Sequence, residues 1–245
     1  HMTITPIKEM SMLAAEIGGD VVSFGQGIPY VDTPEYIKEG IRQSLLQKDT
    51  ARYTLEPGIT ELRELIAKDL SIRKGIEIET NQVMVTSGCQ EANVCALITL
   101  VDEGDEVILL APSFASYSEQ LLQLGGIPIF VSLQEQNGWR LNIQAVRDAV
   151  TSKTKAILFS HPSNPTGTVF TKEELRDLAD IAKEKDLVIM TDETYDFLTY
   201  DGIEHMSPIT FEDIKDRVIL CGSFSKKRAF RVGHFGRRPA GRFGF

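Results

Sequence analysis

The sequence predicts an α/β protein built on a doubly wound, mainly parallel sheet. Three observations carry that expectation. Apolar runs at 83–86, 106–111, 127–131, 156–160, 187–191 and 218–221 are nearly continuous in Val, Ile and Leu, as strands covered on both faces require. Helical patterns at 89–101, 116–124, 143–150 and 171–185 alternate with them. No internal repeat or low-complexity linker interrupts the alternation between Val21 and Gly222.

In chain order, the part through about Thr80 differs from the rest. Stretches 33–47 and 59–74 read as helices, with Pro34 suited to a helix start. The first strand run leads into Thr86-Ser87-Gly88-Cys89-Gln90 and then an almost wholly apolar helix. Alone, that stretch reads as a tight βα turn. Its glycine also lets backbone amides approach an anion at a helix N-terminus, so Gly88, Cys89 and Gln90 form a candidate phosphate cradle. The second strand run leads to Pro112-Ser113-Phe114. The run at 156–160 leads to Ser163-Asn164-Pro165-Thr166-Gly167, where Pro165 keeps the residue before it extended and Gly167 permits a tight turn.

The helix at 171–185 opens on Thr171-Lys172-Glu173-Glu174, a capping box in which threonine and glutamate satisfy two free amides. Its Leu175, Leu178, Ala179 and Ala182 share one face. The run at 187–191 ends on Asp192-Glu193-Thr194-Tyr195, and the last run ends on Ser223-Phe224-Ser225-Lys226. Ligands of open α/β sheets bind at the carboxyl ends of strands. A carboxylate such as Asp192 at such an end is expensive to desolvate without a positive partner. Glu193 reads as a residue on a solvated face, and His161 as a packing or solvent residue rather than a ligand.

Composition bounds the function. In a chain of 245 residues, the net charge of −9 argues against a nucleic-acid footprint, which needs a basic face, and no apolar run is long enough to span a bilayer. Cys89, Cys95 and Cys221 show no metal-ligand spacing, which points to a reducing, cytoplasmic setting. No signal peptide is legible, and His1-Met2 reads as a cloning scar.

One lysine, one asparagine, one aspartate and one tyrosine, each following an apolar run, are the groups that hold a pyridoxal 5′-phosphate ring. Lys226 offers an amine for a Schiff base with the cofactor aldehyde, and Asp192 offers a carboxylate that keeps the pyridine nitrogen protonated, making the ring an electron sink. In these motifs, from about Val21 to Lys226, the chain resembles the class I/II aminotransferases, the fold-type I enzymes. The resemblance implies a homodimer that moves an amino group between an amino acid and a 2-oxo acid. It implies Lys226 as Schiff-base lysine and proton carrier, chosen over Lys227 by the Ser-x-Ser-Lys spacing. Asp192 would serve the ring nitrogen, while Tyr195 and Asn164 would serve the 3-hydroxyl oxygen. Asn164 and Gly27 would meet the substrate carboxylate. Phe114 would stack on the ring, Ser223 and the cradle would hold the phosphate, and Tyr53 would reach the phosphate of the neighbouring subunit.

The implied organisation is an N-terminal segment at 1–20, part of a small domain with an inter-subunit arm at 21–80, the cofactor-binding large domain at 81–227, and an atypical tail at 228–245. In that tail Arg231-Val232-Gly233 resembles a phosphate-clamping motif, but about three residues too close to Lys226. Either Arg231 arrives through a shortened loop or the likeness is accidental. The tail is rich in Arg, Gly and Phe, and it lacks acidic residues and the family's carboxylate-binding arginine. The expectation is therefore an aminotransferase truncated after its lysine and poor in turnover as it stands. A lyase or decarboxylase of the same fold, and a non-catalytic cofactor-binding or dimerising fragment, remain as the other readings.

Overall fold

The computed structural model describes residues 6–19, 21–22, 27, 31–48, 50, 52–227 and 233–234. Three helices come first: α1 (Pro6–Ile17), α2 (Glu35–Leu45) and α3 (Thr60–Lys74). The alternating body follows as β1 (Val85–Thr86), α4 (Cys89–Leu100), β2 (Glu106–Ala111), α5 (Ser116–Gln123) and β3 (Ile127–Ser132). It continues through α6 (Ile143–Ala149), β4 (Thr154–Ser160), α7 (Lys172–Glu184), β5 (Val188–Asp192), β6 (Val218–Ser223), the short α8 (Phe224–Lys227) and β7 (Gly233–His234).

The sheet order is β1-β7-β6-β5-β4-β2-β3. Strands β2 to β6 run parallel, and β7 pairs antiparallel with both β6 and β1. The doubly wound, mainly parallel sheet is thus as the sequence predicts. Both faces are buried, and the period of two sorts the strand residues between them. Ile108, Leu110, Ile157, Phe159, Ile189 and Leu220 enter one core, with α3, α6 and α7. Val107, Leu109, Leu158, Met190, Ile219 and Cys221 enter the other, with α4 and α5.

Three differences from expectation have local causes. Helix α1 was not expected, although Met10, Leu13, Ala14 and Ile17 carry a helical spacing. The strand expected over 83–86 pairs only at Val85–Thr86. The Val83 carbonyl instead accepts from Arg63 Nε at 2.8 Å, and Val85 N–H donates to the Pro57 carbonyl at 2.9 Å. That approach needs Gly58 (φ +98°), where an added Cβ would sit 2.8 Å from Val85 Cβ. Strand β7 was not expected either, because two residues carry no periodicity and their partners are remote in sequence.

Helix α7 starts as its capping box requires. Thr171 Oγ1 accepts from Glu174 N–H at 3.2 Å, and Glu174 Oε2 accepts from Thr171 N–H at 2.8 Å. The same carboxylate pairs with Arg140, which also donates to the Val169 carbonyl at 3.0 Å. Leu178, fully buried beneath this helix, is one keystone of its core. Leu178→Ala should lower unfolding free energy by about 2–5 kcal/mol through lost transfer energy and a residual cavity, measured by urea denaturation.

Candidate active site

Parallel pairing brings three strand ends to one edge. Ser160 of β4 lies opposite Asp192 of β5, and Asp192 lies opposite Cys221 of β6. The segments leaving those strands therefore emerge side by side. His161 N–H donates to the Asp192 carbonyl at 2.8 Å, and Glu193 N–H donates to the Cys221 carbonyl at 2.7 Å. Ser160 Oγ donates to the Pro162 carbonyl and accepts from Asn164 N–H, each at 2.8 Å, which fixes half-buried Asn164 beside the Asp192 turn.

Asp192 is buried and held from three sides. Tyr117 O–H donates to Oδ2 at 2.9 Å, Asn93 Nδ2 reaches the same oxygen at 3.4 Å, and Thr194 N–H donates to Oδ1 at 3.1 Å. The carboxylate marks its surroundings electrostatically. Burial first, then Asp192, pushes the Tyr117 phenol and the Cys89 and Cys221 thiols well above their ordinary values. Burial and then Asp192 also raise Tyr195. The phenols and thiols around Asp192 are therefore neutral, and Tyr117, Asn93 and Thr194 bring its carboxyl group hydrogen bonds but no cation.

Lys226 lies in α8, just past β6, and its ammonium donates to the carbonyl of Gly27. The Tyr195 hydroxyl adjoins the same glycine, 3.9 Å from where a Cβ on Gly27 would sit. Residues from the two ends of the described chain thus meet over the strand ends. The neighbours of Gly27, 23–26 and 28–30, lie outside the described residues, as do Arg231 and all of the 228–245 tail except 233–234.

The expected phosphate cradle has the right backbone and unexpected side chains. Gly88 caps α4 at φ +101°, a conformation that favours glycine, and no side chain caps that N-terminus. The Cys89 thiol turns inward toward Asp192 and Asn93, so only its backbone amide is available to an anion. The Gln90 side chain is engaged with Gln120, at 2.8 Å, and with Ser116, at 3.3 Å. Ser223 Oγ sits 2.5 Å from Ser225 Oγ and accepts from Ser225 N–H at 3.1 Å. Phe114 packs edge-on against Tyr117, with ring centroids 5.6 Å apart. Tyr53 stands fully exposed on its own chain.

Sequence reasoning missed Asn93 and Tyr117, although a polar residue inside an otherwise apolar helix such as α4 was a usable signal. It also misplaced Glu193 on a solvated face, whereas His161, read as a packing or solvent residue, takes the packing alternative. Both are buried, His161 completely, and His161 Nε2 accepts from Phe170 N–H at 3.0 Å. Among the described residues no cluster could hold a metal, and no helix is long and apolar enough to cross a membrane.

Comparison with known proteins decides the family. The family described as aminotransferase class I and II matches residues 19–234. The chain belongs to the class I and II aminotransferases. It is 34% identical over 241 residues to a probable aspartate/prephenate aminotransferase of Aquifex aeolicus, covering 96% of this chain and 61% of that protein. It is 37% identical over 221 residues to aromatic-amino-acid aminotransferase 2 of Thermococcus litoralis, covering 90% and 56%. Among solved structures, N-succinyldiaminopimelate aminotransferase from Mycobacterium tuberculosis superposes with a TM-score of 0.90 at 33% identity, covering 97% of this chain and 62% of that one. Aspartate aminotransferase from Thermus thermophilus with maleate gives 0.88 at 33% identity, covering 95% and 60%. The chain thus spans roughly six-tenths of the length of these family members.

Proposed function

We propose that the whole protein to which this chain corresponds is a pyridoxal-phosphate-dependent aminotransferase, moving an amino group between an amino acid and a 2-oxo acid. One observation carries the reading. An amine, a carboxylate and a phenol, from Lys226, Asp192 and Tyr195, converge at the carboxyl ends of parallel strands, with the Lys226 ammonium and the Tyr195 hydroxyl both at Gly27.

This donor set suits pyridoxal 5′-phosphate. Asp192 is a buried carboxylate ringed by neutral donors, a setting that favours a cationic N–H as its counter-ion. Glycine-capped α4 leaves backbone amides of Gly88, Cys89 and Gln90 as anion donors, and Ser223 adds a hydroxyl. The cofactor supplies an aldehyde that captures amines and a protonated ring that withdraws electrons from the adjacent carbon. With the cofactor bound, Asp192 would hold the ring nitrogen in its protonated form. Lys226 would be the amine of attachment and, when free, the base that holds and moves a proton. Tyr195 and the Asn164 amide would serve the 3-oxygen, and Asn164 and the Gly27 backbone would meet the substrate carboxylate. Phe114 would cover one ring face, contributing on the order of 1 kcal/mol beyond burial.

In this proposal the working form is a cytoplasmic homodimer, and exposed Tyr53 is available to the phosphate of the second copy. Residues 21–80 serve as the small-domain part and inter-subunit arm, and 81–227 as the cofactor-binding body. The 1–20 segment and the 228–245 tail carry no catalytic role in it.

The test adds pyridoxal 5′-phosphate to the chain as given and to a version extended by a family-like C-terminal region. Visible cofactor absorbance is expected from both. Amino transfer over a panel of amino acids and 2-oxo acids is expected at least about a hundredfold faster from the extended protein, since substrate capture needs a bidentate cation and a closing domain. Absence of bound-cofactor absorbance in both versions would overturn the function. Equal turnover would show that this chain needs no further part.

A further inference from the structure

A second charged cluster lies on the opposite side of the sheet from Asn93 and Tyr117. Lys74, the last residue of α3, points its ammonium at Glu193 Oε2, 2.6 Å away, with Asp196 Oδ2 at 3.6 Å. Both members of the Lys74–Glu193 pair are buried, their side chains 6% and 1% exposed. The preceding Arg73 donates to Asp196 Oδ2 at 2.5 Å and to Asp69 at 2.7 Å. Glu193 Oε1 accepts from Ser207 Oγ, and Thr191 Oγ1 stands at 3.5 Å. His205 Nδ1 is 3.3 Å from the Lys74 ammonium and its Nε2 is 3.1 Å from the His161 carbonyl. The tautomer that satisfies both accepts at Nδ1 and donates at Nε2. Burial, with the Lys74 charge, pushes His205 down to about 4, and burial pushes His161 down to about 3, so neither imidazole competes as a cation.

The sequence position of the two acids gives this cluster its meaning. Within Asp192-Glu193-Thr194-Tyr195-Asp196, Glu193 and Asp196 face α3, whereas Asp192 faces α4 and α5 and Tyr195 faces Gly27. We propose that the basic last turn of α3, through Lys74 on Glu193 and Arg73 on Asp196, is the positioning element for the turn that presents Asp192 and Tyr195. The proposal deepens the function above and rests on Asp192 and Tyr195 serving the cofactor. Cations at a helix C-terminus are favoured by its dipole, which makes α3 a suitable donor of both. A buried ion pair adds little net stability compared with an apolar pair of the same shape, but losing one partner leaves a stranded charge. What the pair does is fix one geometry, directly beside both residues. It also ties the N-terminal part of the chain to the strand ends.

The test reads hydrogen exchange of the protein without cofactor, together with its affinity for pyridoxal 5′-phosphate. In Lys74→Met, amides of 193–198 should exchange about tenfold faster while 157–159 in β4 hold the wild-type rate. The cofactor Kd should rise about tenfold, a factor equivalent to 1.4 kcal/mol. Lys74→Met combined with Glu193→Gln removes the stranded charge but also lacks the pair, so both readings should stay at least about threefold above wild type. Asp196→Asn, which loosens the Arg73 arm and the longer Lys74 contact while leaving the Lys74–Glu193 pair, should raise exchange at 193–198 about threefold and covers the case in which Lys74→Met fails to fold. Unchanged exchange in the single variants, equal acceleration throughout the sheet, or return of both readings to wild type in the double variant would overturn the positioning role. A wild-type chain that takes up no cofactor would overturn the proposed function instead, and the exchange readings would still decide the role of α3.

Discussion

Lys226→Ala is expected to abolish covalent attachment of pyridoxal 5′-phosphate altogether. The residue follows β6 directly, and its ammonium reaches the Gly27 carbonyl beside the Tyr195 hydroxyl. A covalent link to the aldehyde needs a primary amine at that place, and alanine supplies none. Borohydride trapping followed by mass analysis should show stoichiometric cofactor on the wild-type chain and none on the variant. Lys227→Ala should trap as wild type does. Full trapping in Lys226→Ala, or its loss in Lys227→Ala, would reassign the lysine. Folding should be nearly unaffected, because Lys226 is only half-buried.

Asp192→Ala carries the next largest effect. The carboxylate accepts from Tyr117, Asn93 and Thr194, so its removal strands two buried side-chain donors and, under the proposed function, would leave the ring nitrogen without its counter-ion. A lost hydrogen bond to a charged group is worth ~1.5–3 kcal/mol, so cofactor affinity should fall by roughly 10- to 150-fold. The bound cofactor's spectrum should no longer report a protonated ring nitrogen. Asp192→Asn separates charge from shape. It keeps one acceptor oxygen where Tyr117 and Thr194 use two, so stability should recover in part, and further than cofactor reactivity does. Measurement of Kd and of the spectrum across pH checks both variants. An alanine variant with wild-type affinity and spectrum would remove Asp192 from the site.

Much of the fold was legible because it follows from local patterning. The runs at 106–111 and 127–131 became β2 and β3 almost residue for residue, since near-continuous apolar strands leave few alternatives. The α7 cap was equally plain, because Thr171 and Glu174 satisfy each other within one turn. The placement of Asp192 at the last position of β5 was foreseen from the abrupt end of an apolar run. What failed was anything depending on remote partners. Glu193 looked like a solvated acid because its neighbour Lys74 stands 119 residues earlier. Cys89 was expected only through the phosphate cradle, and its thiol proves to face the buried Asp192.

The sequence by itself determined the class of architecture, the family resemblance and the candidate chemical groups. Each of these is written in short-range patterns: strand runs, helix faces, caps, and motifs that end strands. Only the tertiary structure decided which of those groups meet. Parallel pairing of β4, β5 and β6 set Ser160, Asp192 and Cys221 abreast, and that alignment carries Asn164, Tyr195 and Lys226 to one edge. It also decided that Tyr117 and Asn93 hold Asp192 from one side of the sheet while Lys74 and Arg73 hold its neighbours from the other. The physical reason is range. Backbone propensity and side-chain period act over a few residues, whereas a buried charge is stable only beside partners that the folded chain brings from far along its length.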